Sequence, residues 1–160
     1  MNEALKKDLT CIYHEVGAIV QASQHLEFSI GYCLTILKEL ELGPLSNDEF
    51  DTSMAKFSKF VFGRLIGDLK RVIKVGQDSE DALMLTLKER NFIIHNFFYD
   101  DPELFATQQG RKDLLKRVKL ARANIDRGFQ VIDSLTIELM RISGLSIEDV
   151  MADVESSMRY

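Results

Sequence analysis

Residues 87–98, LKERNFIIHNFF, set an arginine, an amide and an imidazole in the most apolar part of a 160-residue chain. Groups of this kind are costly to bury without partners. Arg90, Asn91 and His95 are therefore either satisfied inside the protein or kept for chemistry. Their types suit proton transfer beside a bound anion. An imidazole with its ordinary pKa of about 6.5 moves protons at neutral pH. A guanidinium grips a phosphate at two points and stabilises charge that develops on it. Asn91 and His95 stand four residues apart, a spacing at which side chains meet on a helix, so the amide can orient the ring. Two structural alternatives stand beside this reading. His95 can be a core histidine satisfied by its neighbours, and Arg90 can pair with Glu89, Asp100 or Glu103.

The element that must position these residues is a predicted helix over about residues 80–99. Ala82, Leu83, Met84, Leu85, Leu87, Phe92, Ile93, Ile94, Phe97 and Phe98 make it apolar almost all round. Such a helix is central in a core or shared with a partner. Lys88, Asn91, His95 and Tyr99 form its polar stripe. At 100° per residue, Arg90 lies about 140° from His95. An ideal helix does not aim both at one point. Either Arg90 curls round with its long arm, or the helix departs from ideal near His95, or Arg90 and His95 of two copies meet.

The rest of the chain reads as helix too. Leu5, Leu9, Ile12, Val16, Ile19, Ser23, Leu26, Ile30, Cys33, Leu37 and Leu40 alternate steps of four and three, which predicts one long helix over 3–41. Gly43-Pro44 ends it. Ser46 and Glu49 are spaced as a capping box for a second helical region, about 50–75, which Gly63 and Gly67 bend or pack closely. Asp78 or Ser79 caps the helix over 80–99. Asp101-Pro102 restarts the chain as N-cap and first helical residue. Gly110 interrupts before a long helix over about 111–143, with Leu114, Val118, Ala121, Ile125, Gly128 or Phe129, Ile132, Leu135 and Leu139 as its seam. Gly144 closes that helix, and Ser146 with Asp149 caps a short last one. The expected fold class is all-α: a four- or five-helix up-down bundle with two long helices, one domain over 1–160.

Composition narrows the function. The net charge of −5 gives no global basic footprint for nucleic acid. Cys11 and Cys33, on one predicted helix, lie roughly 33 Å apart and cannot pair. With no C-x-x-C and no H-x-x-x-H, no metal site and no cofactor are expected; His14 and His25 stand too far apart to share an ion. The N-terminus lacks the apolar core of a signal peptide, and no apolar run reaches the roughly 18 residues of a membrane span. A soluble, cytoplasmic protein with no membrane partner is expected.

"ERNFIIH" resembles the motif of HEPN domains: an arginine, a polar residue directly after it, and a histidine after four to six intervening residues. Arg90, Asn91 and His95 occupy those positions, with four residues between Arg90 and His95. The surroundings are similar as well. That family is an all-α bundle of four or five helices, with its motif late in the third major helix and a long helix after it. The Phe-Gly-Arg-Leu-Ile run at 62–66 looks like the Gly-Leu element that precedes the motif in several branches. The resemblance covers most of the chain in architecture and about six residues in identity. It implies a homodimer whose two motifs line one cleft and, in many members, metal-independent cleavage of RNA. The 2′-hydroxyl is then the internal nucleophile and a 2′,3′-cyclic phosphate the product. Other members keep the fold without activity and bind proteins. A toxin branch carries a tyrosine two residues after the histidine, which a partner nucleotidyltransferase modifies. Here that place holds Phe97, with Tyr99 two residues further on.

Local charge adds a second feature. Residues 111–127 hold Arg111, Lys112, Lys116, Arg117, Lys119, Arg122 and Arg127 against Asp113 and Asp126, a net +5. Lys112, Lys116, Lys119 and Arg122 form a stripe away from the apolar seam, as candidate RNA contacts. A simple solvated helix face gives the same pattern. Lys56, Lys59, Arg64, Lys70, Arg71 and Lys74 against Asp68 make a second basic segment. The resemblance implies a helical homodimer of HEPN type, acting as an RNA endonuclease of toxin or defence type with an RNA substrate and an antitoxin or other protein partner. Arg90 binds the scissile phosphate, His95 transfers the proton, and Asn91 positions it. The alternatives are a non-catalytic, protein-binding or regulatory module of the same fold and an ordinary helical interaction protein.

Overall fold

The computed structural model describes residues 3–144, and every regular element among them is helical. Helix α1 spans Glu3–Leu42, α2 Asn47–Phe57, α3 Phe62–Val72, α4 Gln77–Asn91 and α5 Gln108–Ser143. A π-helical turn, Phe92–Asn96, follows α4 directly, and a 3-10 turn, Pro102–Phe105, precedes α5. The proposed last helix around Ser146 and Asp149 lies outside the described residues. The chain divides into two compact units, Met1–Leu26 with Val75–Val131 and Glu27–Lys74 with Ile132–Tyr160.

In the first unit, the apolar seams of α1 and α5 meet. Ile12 and Ile19 pack with Leu114, Val118, Ala121 and Ile125, and Ile93 and Phe97 complete the cluster. Ser23 occupies a seam position without an unmet polar group, because its hydroxyl donates to the Ile19 carbonyl at 2.8 Å. Thr86 is fully buried on α4, and its hydroxyl proton is shared between the carbonyls of Ala82 at 2.9 Å and Asn124 at 3.1 Å. Gly128 is the glycine that lets α5 come this close. A methyl group there would run into the Thr86 hydroxyl and stand 2.9 Å from its Cβ.

In the second unit, Ile30, Cys33, Leu34 and Ile36 of α1 are buried, as are Phe62, Leu65, Ile66 and Leu69 of α3 and Ile132, Leu139 and Met140 of α5. Cys33 Sγ lies 3.1 Å from Thr136 Oγ1, and burial pushes its thiol pKa up. Cys11 is exposed, and both cysteines are free.

Several boundaries differ from the sequence expectation. The region expected as one helix over 50–75 is two, parted at residues 58–61, ahead of Gly63 rather than at it. Phe60 turns its ring edge to Phe57 there and lies 3.5 Å beneath the Arg64 guanidinium. The Ser46–Glu49 capping box forms as expected, and the Ser46 hydrogen bonds hold the Glu49 carboxyl below its ordinary pKa. α4 starts before Asp78, with Gly76 as its cap; Asp78 and Glu80 instead sit in its first turn, where they favour the helix dipole. Asp101-Pro102 opens only a 3-10 turn, and the Asp101 side chain makes no capping bond. Gly110 lies inside the first turn of α5, its N–H donated to Thr107 Oγ1 at 3.0 Å. Leu40, the end of the first seam, is exposed.

Two substitutions test this packing. Leu26→Ala should lower stability by about 2–5 kcal/mol through the cavity it leaves. Gly128→Ala should cost about 1–3 kcal/mol through overpacking against Thr86. Urea midpoints at an unchanged m-value check both; a shift near zero would place the residue outside a packed contact.

Candidate functional site

Ile93 and Phe97 fix the segment that carries the motif. Both are buried, four residues apart, and both pack into the α1–α5 cluster. Phe97 meets the edges of Phe92, Phe98 and Phe105 at centroid distances of 6.1, 5.0 and 5.8 Å. Phe98 in turn stacks on Phe105 at 5.7 Å and approaches Tyr13 at 6.0 Å. These anchors hold a turn in which the Phe97 N–H donates to the Phe92 carbonyl, an i→i+5 bond of 2.9 Å. Such a turn is wider than an α-helical one and often occurs at functional sites. It advances less per residue than 100°, so it reduces the roughly 140° that separates Arg90 from His95 on an ideal helix.

With Ile93 and Phe97 inward, His95 and Asn91 point to solvent, as do Lys88 and Tyr99. The expected polar stripe is therefore an exposed one. Arg90 is half-buried, and its Nη1 donates to Asn91 Oδ1 at 3.2 Å. The structure thus joins Arg90 to Asn91. The Asn91 carbonyl oxygen is directed to the guanidinium, and no hydrogen bond among the described residues links it to the His95 ring.

The basic residues of α5 differ in their surroundings. Lys112, Lys116 and Lys119 are exposed on α5. Arg122, the fourth member of that stripe, is half-buried and pairs with Glu15 at 3.0 Å and Asp126 at 4.0 Å. Arg111, part of the same basic segment, is buried, bonded to Asp8 at 3.1 Å and to the Phe105 carbonyl at 3.0 Å. Arg117 donates to Glu89 Oε2 at 2.6 Å.

That last pair is what the sequence reading missed. Glu89 is 6% exposed. Its Oε1 accepts from Asn124 Nδ2 at 3.3 Å, so α5 supplies both partners. The Arg117 guanidinium also lies 4.5 Å over the Phe92 ring, a cation–π contact. A signal was present: Ala82, Thr86, Glu89 and Ile93 follow steps of four, three and four, which puts Glu89 on the inward stripe of α4. The sequence reading considered Glu89 only as a neighbour for Arg90.

No group of three or more His, Cys, Asp or Glu among the described residues could hold a metal ion, and no described helix is long and apolar enough to cross a membrane. Compared with protein-family models, curated proteins and solved structures, the chain matches none.

The division into anchors and exposed groups has a measurable consequence. Phe97→Ala should cost about 3–5 kcal/mol. Asn91→Ala and His95→Ala should each stay within about 0.5 kcal/mol of the parent, as exposed side chains do. Chemical denaturation of the three variants checks this; a His95→Ala loss as large as that of Phe97→Ala would make His95 a packing residue.

Proposed function

We propose that the chain is a HEPN-like helical homodimer that cleaves RNA without a metal ion, in a toxin or defence role in the cytoplasm. The observation that carries this reading is the wide turn at Phe92–Asn96: it lessens the angle between Arg90 and His95 and leaves His95 and Asn91 open to solvent. In the proposed reaction, Arg90 grips the scissile phosphate, oriented by its bond to Asn91. His95 takes the proton of the 2′-hydroxyl, whose oxygen attacks phosphorus. The bond to the 5′-oxygen breaks, and that oxygen leaves with a proton from the imidazole of the second copy. The products are a 2′,3′-cyclic phosphate and a 5′-hydroxyl. Lys112, Lys116 and Lys119 attract the flanking phosphates; Arg122 joins them only by giving up Glu15. Exposed Ile94 and Phe98, within three residues of His95, are the apolar groups proposed to be covered in the dimer.

A second reading is a module of the same fold that binds an antitoxin or another protein without cutting RNA. The net charge of −5 and the neutralisation of Arg111, Arg117 and Arg122 by Asp8, Glu89 and Glu15 favour it.

Purified protein incubated with single-stranded RNA in EDTA separates the two. The nuclease should leave cyclic phosphate ends, His95→Ala should abolish cleavage with the fold intact, and Arg90→Lys should lose most activity, because an ammonium cannot copy a two-point grip. Sedimentation at micromolar concentration should show a dimer. RNA left whole by the folded parent protein would favour the binding module.

A further inference from the structure

We infer that Glu89 and Arg117 are positioning residues: their ion pair, closed over the ring of Phe92, holds Phe92–Asn96 in the wide register that turns His95 towards Arg90. The functional half of this inference rests on the proposed site; the structural half does not.

The chain of contacts is short. Glu89 immediately precedes Arg90 and is buried, whereas Arg90 is half-buried. A buried carboxylate must be paired and hydrogen-bonded to persist, and α5 meets that demand with Arg117 at 2.6 Å and Asn124 at 3.3 Å. The same guanidinium lies over the Phe92 ring, 4.5 Å from its centroid. Phe92 is the residue whose carbonyl accepts the i→i+5 bond from Phe97. One arginine therefore fixes both the last turn of α4, through Glu89, and the first residue of the wide turn, through its ring.

Without that clamp, the competing register is the ordinary one, in which the Phe97 N–H donates to the Ile93 carbonyl. The i→i+4 ladder is the default for a segment of good helix geometry. Restoring it returns Arg90 and His95 to about 140° apart. The exposed residues would keep their exposure, and the site would lose its alignment. Misplacement of this order is enough to cost a reaction its rate with little change in binding.

The test reads register directly in the full chain. In the parent protein, a scalar coupling across the hydrogen bond should connect the Phe97 amide with the Phe92 carbonyl in NMR spectra. Arg117→Lys retains a positive charge for Glu89 but has no flat face for Phe92. In it the coupling should move to the Ile93 carbonyl, or the Phe97 amide should exchange with solvent about tenfold faster or more. The double variant Glu89→Gln with Arg117→Gln leaves no lone buried charge, so it guards against simple unfolding, and it should behave likewise. In both, RNA turnover should fall about tenfold or more while KM stays near the parent value. Variants that keep the Phe92–Phe97 coupling and parental exchange overturn the inference. A parent protein that cuts no RNA instead overturns the nuclease reading, and the coupling alone then decides whether Glu89 and Arg117 set the register.

Discussion

A carboxylate taken out of water on the inward stripe of α4 constrains everything around the motif. Glu89 cannot remain charged there without donors, and both donors come from α5. The demand ties the end of α4 to Arg117 and Asn124. Arg90, the next residue, is offset from Glu89 by about 100° around the helix. One turn back, Thr86 presses on Gly128, so the two helices are held by a steric contact and an ionic one in succession.

The second constraint is aromatic. Phe92, Phe97, Phe98 and Phe105 form a connected set of ring contacts around the wide turn. A π turn gives up regular hydrogen bonding, so it persists where packing over-determines it. Here buried Phe97 and the rings around it supply that packing, and the Arg117 guanidinium covers Phe92 from α5. The polar face of the same segment is left to Asn91, His95 and Tyr99, none of which the core requires.

The basic segment of α5 serves two purposes that sequence charge cannot separate. Arg111, Arg117 and Arg122 are matched to acids on α1 and α4. Arginine suits such sites, since its planar fork keeps several donors in use when partly buried. The lysines at 112, 116 and 119 are exposed, and Lys116 lies 4.0 Å from Asp113. Within residues 111–122, the arginines are thus paired with acids of α1 and α4 while the lysines are exposed.

The helical class, the two long helices, the Ser46–Glu49 cap and most seam residues follow from the sequence alone. Four-three periodicity and capping chemistry are local properties, and α1 and α5 carry them over many turns. The exposed stripe of Asn91, His95 and Tyr99 was legible for the same reason. Other features depended on contacts between residues far apart in the chain. The break before Phe62 has no glycine or proline to mark it; the pairing of Arg111 with Asp8 spans most of the chain. The departure from an ideal helix at His95 stood in the sequence only as one of several ways to reconcile Arg90 with His95. Only the tertiary structure chose it, because that turn packs through Ile93 and Phe97 into the α1–α5 cluster and meets Arg117 of α5 at Phe92 and Glu89, and periodicity along one segment carries no record of its neighbours.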